Sequence, residues 1–147
     1  MRMNIHPVLV HFPVALLTLY SVLEILPLAQ WWPKGNWDFM RSFLLYLGTL
    51  TLYPVLLSGF VAEDLGSHNG ALPYHKVAAL ITVVIFTLAS LISLWRKGHD
   101  KGVAVQKVFA VLGLIALVTV GTLGGAVAYG YYNDPFTSML TSFFGLQ

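Results

Sequence analysis

YHKVAALITVVIFTLASLISLW, residues 74–95, holds no charged side chain between Lys76 and Arg96. About 20 mainly apolar residues in helical conformation span the hydrocarbon core of a bilayer. This run supplies them, without the alternation that marks a half-buried strand. Three other stretches read the same way, at residues 7–29, 39–62 and 105–130. Between them lie turn-rich segments: Trp31-Trp32-Pro33-Lys34-Gly35-Asn36, Gly66-Ser67-His68-Asn69-Gly70 with Pro73, and Arg96-Lys97-Gly98-His99-Asp100-Lys101-Gly102. Connections this short dictate antiparallel neighbours, so the expected architecture is all-α, an integral membrane four-helix up-down bundle forming a single domain over residues 1–147.

Composition agrees. Of the 147 residues 57% are hydrophobic and 10% charged, with a mean hydropathy of +0.76, whereas a soluble domain carries about 25% charged residues. The lipid bilayer is therefore the first partner. A net charge of +2 is too small to attract a polyanion, and nucleic acid is excluded as a partner. With no cysteine in the chain, disulfides, iron–sulfur ligation and thiol catalysis are excluded too.

Basic residues set the expected orientation. Lys34 and Arg41 flank the first turn, and Arg96, Lys97, Lys101 and Lys107 the third, against Arg2 and Lys76 at the opposite level. The first and third turns should face the cytoplasm, with both termini and the middle loop outside. The first span is not read as a cleaved signal peptide, because His11, Pro13 and Glu24 interrupt its apolar run. After the fourth span, residues 134–146 place Phe136, Met139, Leu140, Phe143 and Phe144 at helical spacing behind Asp134-Pro135, which predicts a short interfacial helix.

Ionisable groups in membrane spans are costly and mark functional sites by default. His6, His11, His68 and His75 all fall at the outer level, beside Glu63 and Asp64. His6 and His11 are five positions apart, about 140° around a helix, so both cannot face the bundle axis. His11, the deeper, is the expected inward ligand, with His6 at the headgroups. His75 opens the third span at comparable depth; the first and third helices are diagonal or adjacent depending on their order, and across a diagonal two imidazoles suit opposite faces of a haem iron. Gly121, Gly124 and Gly125 in the fourth span would line such a slot, or pack a neighbouring helix as Gly121-xxx-Gly125. The same region could instead bind a transition metal through His11, His75, His68 and Glu63. Glu24, one turn from Tyr20 in the inner half, is expected to snorkel or bond to a neighbour; no second buried acid lies at its level. Pro54 should kink the second span, with Thr49 or Thr51 meeting the freed carbonyls.

Ile5-His6-Pro7-Val8-Leu9-Val10-His11-Phe12-Pro13, Ser58-Gly59-Phe60-Val61-Ala62-Glu63-Asp64, His75-Lys76 and Gly121-Thr122-Leu123-Gly124-Gly125 resemble, in order, the motifs of a family of small bacterial membrane proteins, those with the domain of unknown function 2231. The resemblance covers nearly the whole chain. It implies a four-helix domain of the bacterial inner membrane, joined in other members to cytochrome c or Rieske-type modules, and hence electron transfer outside the cytoplasm. It also implies histidines near the positions of Thr122 and Tyr131, which this chain lacks. Three functions follow as expectations. The leading one is a membrane redox protein with a b-type haem between the first and third spans, exchanging electrons with a periplasmic cytochrome or quinone. The second is a cofactor-free accessory subunit of a larger membrane complex, or a homo-oligomer packed through the glycine face. The third is a non-haem metal or proton-handling site built from the His/Glu cluster. An electron-transfer or accessory role is expected over that of a stand-alone enzyme.

Overall fold

The computed structural model describes residues 6–63, 70–96, 102–129, 135–143 and 145. Its elements are α1 (His6–Ile25), α2 (Leu28–Trp31), α3 (Trp37–Glu63), α4 (Leu72–Trp95), α5 (Val103–Tyr129) and α6 (Pro135–Phe143). Four of them contain stretches long and apolar enough to cross a membrane, Val8–Ile25, Trp37–Ala62, Leu72–Trp95 and Val103–Ala128, with mean hydropathies between 1.7 and 2.6. The protein is an all-α membrane bundle. At most 28% of any of these stretches is buried inside it, and side chains such as Leu50 and Leu57 are each 66% exposed. Helices apolar on every side need an apolar solvent, and lipid supplies it.

The first span, expected to run to residue 29, ends at Ile25. Pro27 has no backbone N–H to continue the ladder, and a separate turn, α2, starts at Leu28. Trp31, Trp32 and Trp95 stand exposed at this end of the bundle, and the Trp37 indole donates to the Trp32 carbonyl at 2.8 Å. Such a group of tryptophans is typical of a membrane interface.

α1 packs on α3 and α5, and α4 packs on α3 and α5. The order around the bundle is therefore α1–α3–α4–α5, with α1 diagonal to α4 and α3 diagonal to α5. Leu17, Tyr20, Leu44, Leu45, Leu52, Phe86, Ala89, Ala110 and Leu117 fill the interior. α6 lies against α5, with Met139 and Phe143 exposed.

The two hairpins, α1–α3 and α4–α5, repeat one another. A shift of 69 residues carries His6, Pro13, Leu17 and Tyr20 onto His75, Thr82, Phe86 and Ala89. The inward stripe recurs with it: Pro13, Leu17 and Tyr20 are buried, as are their counterparts. A shift of 65 carries Leu45, Gly48, Leu52 and Gly59 of α3 onto Ala110, Gly113, Leu117 and Gly124 of α5. Contacts recur as well. A methyl group on Gly48 would lie 2.6 Å from Leu17 Cδ2, and one on Gly113 2.5 Å from Phe86 Cζ. Both hairpins start at the same end, so a pseudo-two-fold axis along the bundle relates them, as in other parallel membrane repeats.

Hydrogen bonds join the hairpins along α3 and α4. Tyr46 and Ser93 hydroxyls meet at 3.0 Å, and those of Tyr53 and Thr87 at 2.8 Å. Between them Ser90 donates to Thr49 Oγ1 at 3.0 Å, and Thr49 donates to the Phe86 carbonyl at 3.4 Å. Thr51 donates to the carbonyls of Leu47 and Gly48. Neither threonine caps the Leu50 carbonyl that Pro54 leaves without its helical donor, which corrects that expectation.

Candidate functional site

The inward stripe of α1 steps back from Tyr20 through Leu17, Pro13 and Val10 to His6, in intervals of three and four. His6 is accordingly half-buried, and His11, off that stripe, is exposed. This reverses the expected assignment. Depth along the helix favoured His11, but helical phase decides which side chain faces the interior. The signal was present in the 3–4 spacing and in the repeat, which aligns His6, not His11, with His75.

His6 Nδ1 lies 2.8 Å from Ser58 Oγ. The Ser58 hydroxyl gives its own proton to the Val55 carbonyl at 2.8 Å, so Nδ1–H of His6 is the donor and the lone pair sits on Nε2. His75 Nδ1 lies 3.1 Å from the Val120 carbonyl. A carbonyl can only accept, so His75 takes the same tautomer. Val120 is the repeat counterpart of Val55, whose backbone also interacts with His6. The glycines repeat the pattern: a methyl group on Gly59 would stand 3.2 Å from His6 Cε1, and one on Gly124 3.1 Å from His75 Cε1. Each imidazole thus turns Cε1 toward its partner helix at a point where a side chain would crowd it. His75 is close enough to His6 for their charges to interact. Burial holds the His6 imidazole below its ordinary 6.5, the Val55 interaction opposing this in part. Neutral imidazoles with Nδ1–H committed and Nε2 carrying the lone pair are the form that ligates metals.

The other predicted site residues are not all brought together. Gly124 touches His75, whereas Gly121 is exposed, with nothing within 4 Å of a methyl group there. It faces outward from α5 and lines no slot inside the bundle. Gly125 is half-buried. His68 and Asp64 fall outside the described residues, as does the side chain of Glu63. Among the described residues no group of three or more His, Cys, Asp or Glu could hold a metal ion. At the position where relatives are expected to carry histidine, Thr122 donates to its own helix at the Val118 carbonyl, 2.7 Å away; Tyr131 is outside the described residues.

A second polar group occupies the opposite end. Glu24 is 5% exposed and its Oε2 is 3.8 Å from Arg41 Nε, which also donates to the Leu23 carbonyl at 3.0 Å. Of the two expectations for Glu24, the bond to a neighbour holds, and the side chain does not snorkel outward. Gln106, the repeat counterpart of Arg41, donates through Nε2 to the Tyr20 hydroxyl at 2.7 Å and to the Ala89 carbonyl at 3.1 Å. Ser21 Oγ, Gln106 Oε1 and Arg96 Nε are buried without a hydrogen-bond partner. Each such atom, left dry, costs about 1–3 kcal/mol. The sequence reading missed this group because Tyr20, Ser21 and Gln106 are neutral, and Arg41 and Arg96 count there only as basic residues flanking the turns.

Comparison with known proteins agrees with this architecture. Residues 2–133 match the family of predicted membrane proteins defined by the domain of unknown function 2231, and the chain belongs to that family. Neither a curated protein nor a solved structure matches it.

Proposed function

We propose that the protein is a small redox protein of the bacterial inner membrane, in which His6 and His75 would hold a b-type haem at the histidine end between α1 and α4. One observation carries this reading: the internal repeat places two imidazoles of one tautomer at equivalent positions on diagonal helices. Helices packed 8–10 Å apart leave a diagonal of roughly 12–14 Å, a gap suited to two imidazoles approaching one iron from opposite sides. The donor set fits haem better than a bare ion, since haem needs two protein ligands and no third ligand is grouped with them among the described residues.

A haem there would supply one-electron transfer at the membrane face. The chain's own residues do the positioning. Ser58 and the Val120 carbonyl orient the rings through Nδ1, and Gly59 and Gly124 let the rings lie against α3 and α5. The basic turns at the other end favour an orientation with the histidines outside, where a periplasmic cytochrome or quinone would exchange electrons with the haem.

A reduced-minus-oxidised visible spectrum of detergent-purified protein, expressed with haem supply, tests the reading. Paired b-type bands are expected, lost in His6→Ala and in His75→Ala and kept in His11→Ala. A flat spectrum from folded protein overturns the haem, and bands that survive both substitutions overturn the ligands. The cofactor-free reading, a subunit of a larger assembly or a homo-oligomer, draws on the outward-facing Gly121, where another helix can approach α5 closely. It predicts no visible band and co-purification of further membrane subunits or a second copy.

A further inference from the structure

The polar group at the arginine end is built for a ligand that both donates and accepts hydrogen bonds. Gln106 is 2% exposed and Ser21 fully buried. The Ala89 carbonyl fixes the Gln106 amide, because a flipped amide would set oxygen against oxygen; Oε1 therefore needs a donor. Arg96 Nε–H needs an acceptor, and the Ser21 hydroxyl can serve either way. The Tyr20 hydroxyl accepts from Gln106, which leaves its proton to give. Gln106 is tied to this group through its bond to the Tyr20 hydroxyl. Ser21 follows Tyr20 on α1 one turn from Glu24, and Arg96 is close enough to interact electrostatically with both Tyr20 and Glu24. A small anion fails at Gln106 Oε1, and a metal cation fails beside Arg41, Arg96 and Lys107. Water satisfies every atom, and buried waters typically take 2–4 polar partners.

We propose that ordered water occupies the bundle interior at Ser21, Gln106 and Arg96 and makes Glu24 a proton-exchange site open to the aqueous phase at that end alone. The charged and titratable groups around Glu24 are Tyr20 on α1, Arg41 and the exposed Asp38 on α3, Arg96 at the end of α4 and Lys107 on α5. A hydronium ion passes its proton to the carboxylate: one O–H bond breaks on the hydronium and one forms on the carboxyl, leaving neutral water and a neutral acid beside Arg41. Release reverses the step. The Arg96 side chain reaches Gly102 just before α5, where a methyl group would stand 3.0 Å from its Cδ. Toward the histidines the way is closed by Leu17, Leu45, Leu52, Phe86 and Leu117. Glu24 and His6 are 18 residues apart on α1, about 27 Å at 1.5 Å per residue, so this site stands or falls apart from the haem reading.

Infrared spectra of the full-length protein in lipid vesicles, taken across pH in H2O and D2O, test the proposal. A protonated-carboxyl band that grows on acidification, vanishes in Glu24→Gln and has shifted by the first spectrum in D2O is expected. Glu24→Asp, which keeps the charge should Glu24→Gln fail to fold, should move the band instead of removing it. In Ser21→Ala, which keeps the carboxyl, deuterium uptake at Glu24 should slow. The proposal is overturned if no Glu24-dependent band appears while the helices remain intact, if the band keeps its hydrogen in D2O overnight, or if Ser21→Ala exchanges at the wild-type rate.

Discussion

Gly113 and Gly121 lie two turns apart on one helix and answer to different solvents. A methyl group on Gly113 would press 2.5 Å from the buried Phe86 ring, and one on Gly121 would meet nothing. Overpacking a tight interior costs about 1–3 kcal/mol, whereas replacing glycine by alanine in an open helical position stabilises by about 0.5–1 kcal/mol. Gly113→Ala should therefore lower, and Gly121→Ala hold or raise, the midpoint of unfolding in detergent. Equal effects at both positions would contradict the packing described. The same distinction shows what a single residue could reveal in advance. The glycines of the fourth span were visible in the sequence, but which of them meets a neighbour depends on helical phase: Gly113 meets Phe86, Gly124 meets His75 and Gly121 meets nothing. His6 and His11 make the same point. Both were legible as candidates, and helical phase, not depth, decides which of them faces the interior.

Whole elements were easier to read than their contacts. Runs such as residues 74–95 allow few conformations in a bilayer, since unsatisfied backbone groups in lipid are prohibitively costly. What the runs do not encode is which polar side chains meet across helices, because an apolar wheel with scattered Thr, Ser and Tyr offers several pairings. The seam between α3 and α4 uses Tyr46, Thr49 and Tyr53 against Ser93, Ser90 and Thr87. Thr49, 6% exposed and bonded to both Ser90 and the Phe86 carbonyl, is its buried member. Thr49→Val should cost about 1 kcal/mol, within the 0.6–2 kcal/mol typical of interhelical hydrogen bonds in membranes. Ser90→Ala in the Thr49→Val background should add less than it does alone. A double-mutant cycle of unfolding in detergent reads that coupling, and strict additivity would show that the two hydroxyls do not act together.

Across the whole molecule, the repeat accounts for both polar ends. At one end the copies agree: His6 with Gly59 and His75 with Gly124. At the other they differ, Glu24 with Arg41 facing Ser93 with Gln106. A ligand near the pseudo-axis would meet like groups at the first end and unlike groups at the second, in keeping with the haem proposed at the first and the one-sided proton site proposed at the second. The spacing itself stands in the sequence, eleven positions from His6 to Leu17, from His75 to Phe86, from Gly48 to Gly59 and from Gly113 to Gly124. With the rest of the two copies so unlike, only the structure shows that these positions correspond. The proposed orientation is tested directly because the chain has no cysteine to label in the background. With a membrane-impermeant maleimide and intact cells, Gly70→Cys should react and Asn36→Cys should react only after lysis. The opposite pattern would invert the topology.

The parallel repeat also bears on how the chain enters its membrane. In the proposed orientation each half inserts as a loop whose basic turn stays on the side of synthesis, so neither cationic turn crosses lipid. By the time α4 leaves the ribosome, Glu24 and Arg41 belong to a hairpin already complete and can neutralise each other within it. The insertion machinery meets one task twice, and the second hairpin arrives at a partner already in place.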